Sequence, residues 1–344
     1  MRRRAGVGRG PAGTLAGMRV DEARSHLLTR DHLILAGLSD RGIEREIGAK
    51  TLIRVRPGRY VASEPWTPAF AEERHLIAVT ATADSLHPGS DAVAVLTSAA
   101  VLHGLPLWKC RLDRVHLASP TCNGQTLREM DATARHRITV PAEDIVRIDG
   151  IRCSSLPRTV ADLLRHLDAT RGLAVVDAAM RAVAGNPRHR AYDSDRADSL
   201  RAAIAERLPA GARGVKRARM VLALGDGRSA SAGESVSRML LVQLGFAAPR
   251  LQVAIPGPFG NDYFVDFGLD DANAWGEYDG TVKYTDPAMR GADEGLAEVL
   301  LHEKQREDWI RGTTQRHYGR WGTEHLQLAA LRSRLASFHI HPPR

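Results

Sequence analysis

Residues 264–284 read FVDFGLDDANAWGEYDGTVKY, and their pattern decides how the C-terminal third of the chain folds. Asp266 interrupts a short apolar run, Phe264-Val265-Asp266-Phe267. Glu277 and Asp279 follow Trp275 after a polar turn, and Lys283 lies four residues beyond Asp279. Two apolar strands joined by that turn bring Asp266 beside Glu277. Carboxylates placed together out of water repel unless a positive charge stands between them. A hard divalent cation such as Mg²⁺ meets that need, usually with one or two carboxylates and several waters. A lysine nearby would then orient water or a phosphate. Such a set suits phosphodiester hydrolysis, in which a metal generates the nucleophile and stabilises phosphoryl charge. The bland reading is a strand-edge turn in which Asp279-Gly280 supplies the positive-φ position.

Working outward, Ser231-Ala-Gly-Glu234 opens a helix from about Ala232 to Leu244 that stops at Gly245. Ser231 and Glu234 have capping-box spacing, so Glu234 is either a cap or an accessory acid of the site. Strands are expected at Leu251–Ile255, Tyr263–Leu269 and Ala274–Tyr278. A helix follows from about Ala292 to Thr313, then a strand near His317–Trp321 and a last helix over Glu324–Ala336. The order Ser231-Ala-Gly-Glu234-Ser, Val265-Asp266-Phe267, Gly276-Glu277-Tyr278-Asp279-Gly280 with Lys283-Tyr284, then His302-Glu303-Lys304-Gln305-Arg306-Glu307-Asp308-Trp309-Ile310-Arg311 resembles the DUF559 and very-short-patch-repair-like branch of the PD-(D/E)XK nuclease superfamily. That resemblance implies an α/β/α restriction-endonuclease-like domain over 231–344. It assigns Asp266 and Glu277 as Mg²⁺ ligands, with Lys283, Glu234 and Asp279 completing the catalytic set. The superfamily pattern has lysine two residues after the glutamate. Here that position is Asp279, so Lys283 or Lys304 would have to supply the cation. Arg306 reads either as a contact to the substrate backbone or as an ion pair with Glu303.

The N-terminal end is basic. Residues 1–62 carry 13 Lys and Arg against 6 Asp and Glu, nearly all of the net charge of +8. A local excess of this kind points to an anionic partner, with DNA the first candidate. Residues 1–19 read as a disordered basic arm without the apolar core of a signal peptide. Over 20–65, Leu27, Leu28, Leu33, Ile34 and Leu38 have helical spacing, with Thr29 and Ser39 as N-caps. A second helix spans Asp40–Ile47. Leu52–Val61 alternates around Pro57-Gly58, as a hairpin does. Two helices and a basic hairpin make a small winged helix, with Arg41 and Arg45 one turn apart on the second helix and Arg54, Arg56 and Arg59 on the wing. In that arrangement the helix reads a groove and the wing touches phosphates. The alternative is a structural cap with solvated arginines.

This region resembles the N-terminal domain of AbiEi-type antitoxins of type IV toxin–antitoxin systems. The likeness continues through Leu96–Trp108, Arg114–Ala118 and Asp149–Leu164, and implies a DNA-binding or regulatory front end and a cognate toxin partner. Residues 66–185 read as a mixed α/β middle domain and 186–230 as a linker with a connector helix. Within the middle domain, Arg158 is expected to pair with Asp162, and Asp177 with Arg181. His103 and His116 near Cys110 and Cys122 fit no standard zinc spacing and read as packing residues. Three widely spaced cysteines argue against a disulfide framework and for a reducing cytoplasm. No apolar run is long enough to span a bilayer. The chain therefore reads as an α+β multidomain, cytoplasmic, DNA-associated protein. Its C-terminal domain is either a Mg²⁺-dependent endonuclease or a non-catalytic part of a regulator or antitoxin.

Overall fold

The computed structural model describes residues 18–119, 132–186, 191–280 and 293–343. The chain divides into two compact units. Among the described residues the first holds 18–166 and 202–215, and the second holds 167–201 and 216–343.

The first unit opens with α1 (Val20–Ser25), β1 (Leu28–Thr29), α2 (Arg30–Leu35), α3 (Asp40–Gly48), β2 (Leu52–Arg56) and β3 (Arg59–Ala62). Thr29 Oγ1 accepts from His32 N at 3.1 Å and Ser39 Oγ from Gly42 N at 3.2 Å. These bonds satisfy free amides at the starts of α2 and α3. Pro57 and Gly58, the latter at φ 74°, turn β2 into β3. The three strands pair in the order β1-β3-β2, all antiparallel. Leu33, Ile43, Leu52 and Tyr60 fill the core between helices and sheet.

The unit continues with α4 (Ser63–Trp66), α5 (Ala71–Ala83), β4 (Val93–Ala94), α6 (Leu96–Leu102), β5 (Val115–Ala118), β6 (Thr133–His136), β7 (Ile145–Ile148), β8 (Ile151–Ser154) and α7 (Leu156–His166). A mixed five-stranded sheet runs β6-β5-β4-β8-β7. Arg158 Nε donates to Asp162 at 2.8 Å, the pairing that the spacing predicts. His103 and His116 are packing residues in it: His103 lies 2.8 Å from the Ser154 carbonyl, and His116 stacks on His136.

The second unit comprises α8 (Ala169–Ala184), β9 (Gly185–Asn186), β10 (Ala191–Tyr192), α9 (Ser194–Glu206, whose C-terminal turns are assigned to the first unit), α10 (Val215–Leu224), α11 (Ala232–Leu244), β11 (Arg250–Pro256), β12 (Asp262–Leu269), β13 (Ala274–Asp279), α12 (Asp293–Thr314), β14 (His317–Gly322) and α13 (Leu328–Ala336). α11 stops as its sequence predicts, with Gly245 left-handed at φ 101°. One sheet runs β11-β12-β13-β14, with the first two pairings antiparallel and the last parallel. Ile255, Val265, Trp275 and Tyr318 pack with Ile310 of α12 on one side of it. On the other, Phe267 stacks on Trp321 at 5.6 Å, and Trp321 Nε1 donates to Ser237 Oγ of α11 at 2.8 Å. Helices thus cover both faces. Gly276 is required there, because a Cβ would stand 2.6 Å from the Trp321 ring.

Beneath the sheet, Asp177 does not pair with Arg181. Its carboxylate is held by Arg238 of α11 at 2.6 Å, with side-chain exposures of 0% and 6%. Arg181 instead donates to the Ser229 carbonyl. Packing of α8 on α11 brings Arg238 to Asp177, and spacing along a single helix cannot reveal that partner.

Candidate functional site

The acidic site begins with an irregularity in two strands. Along β12, Val265 faces the α12 side while Phe267 faces the α11 side. In a regular strand residues two apart share a face, so β12 turns over at Asp266. The neighbouring strand turns at the same level, where Gln252 is left-handed at φ 48°. The register joins Leu251 to Phe267 and Val253 to Val265, and omits the pair between them. Pairing with β13 also ends at Phe267↔Gly276. The Asp266 carboxylate takes over from there: its Oδ2 accepts from Tyr278 N at 2.9 Å.

Asp266 Oδ1 accepts from Gln252 Nε2 at 3.1 Å, and the same amide donates to Glu234 Oε2 at 3.3 Å. Gln252 therefore bridges buried Glu234 and half-buried Asp266. Glu234 sits in the first turn of α11, where Ser231 Oγ accepts from its amide at 3.1 Å and Ala230 N donates to its carboxylate at 2.7 Å. The cap that the sequence suggests is present, and the same glutamate also borders the site. Gly233 allows this approach, since a Cβ would stand 2.1 Å from the Tyr278 ring. Burial and the Glu234 charge push Asp266 up to about 8, and Glu277 adds to the effect. Burial also raises Glu234, against hydrogen bonds from Ala230 and Ser231 and the charge of Arg181.

Glu277 has different company. Arg306 of α12 donates to both of its oxygens, one at 3.3 Å and one closer, and to the Phe264 carbonyl. Arg320 of β14, the register partner of Glu277, approaches it at 3.8 Å. Asp279, placed by the sequence in the catalytic set, instead forks with Arg320 through two bonds of 2.8 Å. Glu303 joins Arg306 at 2.9 Å and Arg320 at 3.0 Å, and Glu307 joins Arg320 at 3.2 Å. Arg306 thus makes the ion pair with Glu303 that the sequence offered as one alternative. Burial works to lower both guanidinium pKa values, but the hydrogen bonds and charges of these carboxylates outweigh it and raise them. Two arginines therefore stand where a dication would otherwise be needed. Among the described residues no group of three or more His, Cys, Asp or Glu is arranged to hold a metal, and both carboxylate oxygens of Glu277, one of the two expected Mg²⁺ ligands, are engaged by Arg306. Lys283 lies outside the described residues.

Sequence reading missed Gln252, Arg306 as the partner of Glu277, and Arg320. Gln252 gives no signal, because its left-handed backbone arises from strand pairing. Arg320, in His317-Tyr-Gly-Arg320-Trp, was readable only as part of a strand.

In the basic module, Arg41 and Arg45 are exposed on α3, while Gly42 and Ile43 of the same helix are buried. Arg45 lies 3.9 Å from the carboxylate of its neighbour Glu46. The hairpin arginines are less available. Arg54 pairs with Glu44 of α3 and lies over the Tyr60 ring. Arg59 turns back to the end of α5, donating to the Asp84 carbonyl at 3.2 Å and Ser85 Oγ at 3.3 Å. Arg56 is half-buried at the strand end. The five arginines expected to act together thus separate into an exposed helix pair, Arg41 and Arg45, an engaged hairpin pair, Arg54 and Arg59, and half-buried Arg56.

Residues 92–224 match the AbiEi antitoxin C-terminal domain. Two proteins of Mycobacterium tuberculosis, "Uncharacterized protein MT2308" of strain CDC 1551 and "Uncharacterized protein Rv2248" of strain H37Rv, are each 30% identical to the chain over 244 residues. The aligned region spans 69% of this chain and 77% of each relative. The chain belongs to the same family as these two mycobacterial proteins.

Proposed function

We propose that this family member is a DNA-binding regulator of the antitoxin type, acting in the cytoplasm. Residues 20–62 serve as a winged helix, with α3 entering a major groove, Arg41 and Arg45 reaching base edges or flanking phosphates, and Arg56 adding phosphate contact from the hairpin. The AbiEi antitoxin match over 92–224 supports a regulatory role and a cognate toxin as partner. The observation that carries the DNA reading is the exposed pair Arg41 and Arg45, one turn apart on a capped helix. Arg54 and Arg59 brace the hairpin, so their loss should disturb the module's fold. Electrophoretic mobility shift with the upstream DNA of its own gene tests this reading. A complex that Arg41→Ala weakens supports it, and no complex at low salt removes it.

A second reading is favoured by buried Glu234 and half-buried Asp266 near Glu277, and by the helix, three strands, helix and strand of the second unit. In that reading the second unit is a restriction-endonuclease-like hydrolase with Asp266 and Glu277 as ligands and Lys283 near the phosphate. Mg²⁺ would supply charge neutralisation there, but Arg306 would first have to release Glu277. Mg²⁺-dependent nicking of plasmid DNA that Glu277→Ala abolishes would favour this reading over the non-catalytic one.

A further inference from the structure

A cleft of about 420 Å³ opens in the first unit between the end of α5, the loop leading to β4 and the β7–β8 hairpin. That volume lies within the range of about 300–1,000 Å³ typical of small-ligand sites. Apolar Val79, Leu86, Leu117 and Ile151 line it together with Arg24, Arg147 and Arg152.

Arg147 and Arg152 are the decisive pair. They sit directly opposite each other across the antiparallel β7–β8 ladder. The turn between those strands is Asp149-Gly150, with φ of 46° and 87°, so register is fixed. Like charges in directly opposed positions destabilise a sheet. Neither guanidinium has an ion pair among the described residues; Arg147 donates to the Gly150 carbonyl at 3.1 Å and Arg152 to the Ser90 carbonyl at 3.2 Å. Both therefore keep donors for another acceptor. Asp84 also lines the cleft, but Arg24 forks its carboxylate at 3.0 and 3.2 Å, and the charge of Asp149 acts on Arg24 as well. Two cationic forks in a cleft that also has apolar lining match one tetrahedral anion attached to a flat or aliphatic body.

We propose that this cleft binds a phosphate group through Arg147 and Arg152, carried by a small molecule of nucleotide size. The same chemistry is available on a DNA backbone, so the source is decided by experiment. The full-length protein is titrated by calorimetry with adenosine 5′-monophosphate, inorganic phosphate and adenosine, and its duplex DNA affinity is measured in parallel. The variants are Arg147→Glu and Arg152→Gln, with Arg147→Gln as a milder change at an exposed position. The expected result is binding of the monophosphate but not of adenosine, weakened at least tenfold in each variant. If the monophosphate does not bind but all three variants weaken duplex DNA and lower its salt dependence, the phosphate group is that of the DNA backbone. Absence of monophosphate binding together with unchanged DNA affinity in the variants overturns the proposal. The DNA-reading role of Arg41 and Arg45 stands or falls separately, because those residues do not line the cleft.

Discussion

Replacing Arg306 with alanine should destabilise the second unit more than any other change in the acidic network. Arg306 donates to both oxygens of Glu277 and also bonds Glu303 and the Phe264 carbonyl. Glu277 has only 7% side-chain exposure, so water cannot replace the lost partner. Removing one member of a buried pair costs about 3–5 kcal/mol. Two features set the value near the lower end. Arg320 remains 3.8 Å from Glu277, and Glu303, at 37% exposure, recovers most of its loss through solvent. A loss of about 3 kcal/mol corresponds to a fall in Tm of roughly 6–12 °C, at about 2–4 °C per kcal/mol for a unit of this size. Arg306→Lys should fall between wild type and alanine, since lysine keeps the charge but cannot fork. The assay is urea unfolding followed by tryptophan fluorescence, where Trp275 and Trp321 report from the buried core of this unit. A loss below about 1 kcal/mol, the range of an exposed pair, would refute the assignment of Arg306 as the charge that closes the site.

Asp266 should make the unit less stable as pH rises. Its folded pKa of about 8 lies above an ordinary aspartate's, so its stabilising contribution is complete below about 4 and lost as pH passes through 8. Asp266→Asn should therefore show a smaller fall in urea midpoint between pH 5 and 8 than wild type; equal falls would mean that Asp266 is ionised throughout. Arg238→Met should cost about 3–5 kcal/mol by stranding buried Asp177, and a loss below about 1 kcal/mol in urea unfolding would show that Asp177 is solvated. Gly276→Ala should cost about 1–3 kcal/mol by overpacking Trp321, with a changed near-UV signal. Gly280→Ala, whose nearest neighbour would be 3.6 Å away, should stay within about 0.5 kcal/mol of wild type. Equal losses in these two glycine variants would contradict the packing argument.

Much of the local structure was legible because its signals are local. Thr29, Ser39 and Ser231 cap the helices that they precede, and Gly245 ends α11. The strands around Asp266 and Glu277 follow their apolar runs. What stayed hidden depends on the tertiary meeting of distant residues. Glu277 carries no mark that Arg306 and Arg320, 29 and 43 positions along, will neutralise it. The i+4 spacing pointed Asp177 to Arg181, while helix packing delivered Arg238. A turned-over strand at Asp266 cannot be seen in alternation, because Val265 and Phe267 are equally apolar on either face. The two opposed arginines of the β7–β8 hairpin become a pair only once register is known.

Helix α3 is expected to read duplex DNA. The most direct measurement is a salt titration of full-length protein binding to its own upstream DNA and to random duplex, for wild type, Arg41→Ala, Arg45→Ala and Arg56→Ala. Phosphate contacts release counterions, so affinity should fall steeply with salt. Arg45→Ala should narrow the gap between the two DNAs, because base contacts carry discrimination. Arg56→Ala should weaken both alike and reduce the salt slope by roughly 1. Affinity that is negligible at low salt, or insensitive to ionic strength and to all three changes, would contradict the account.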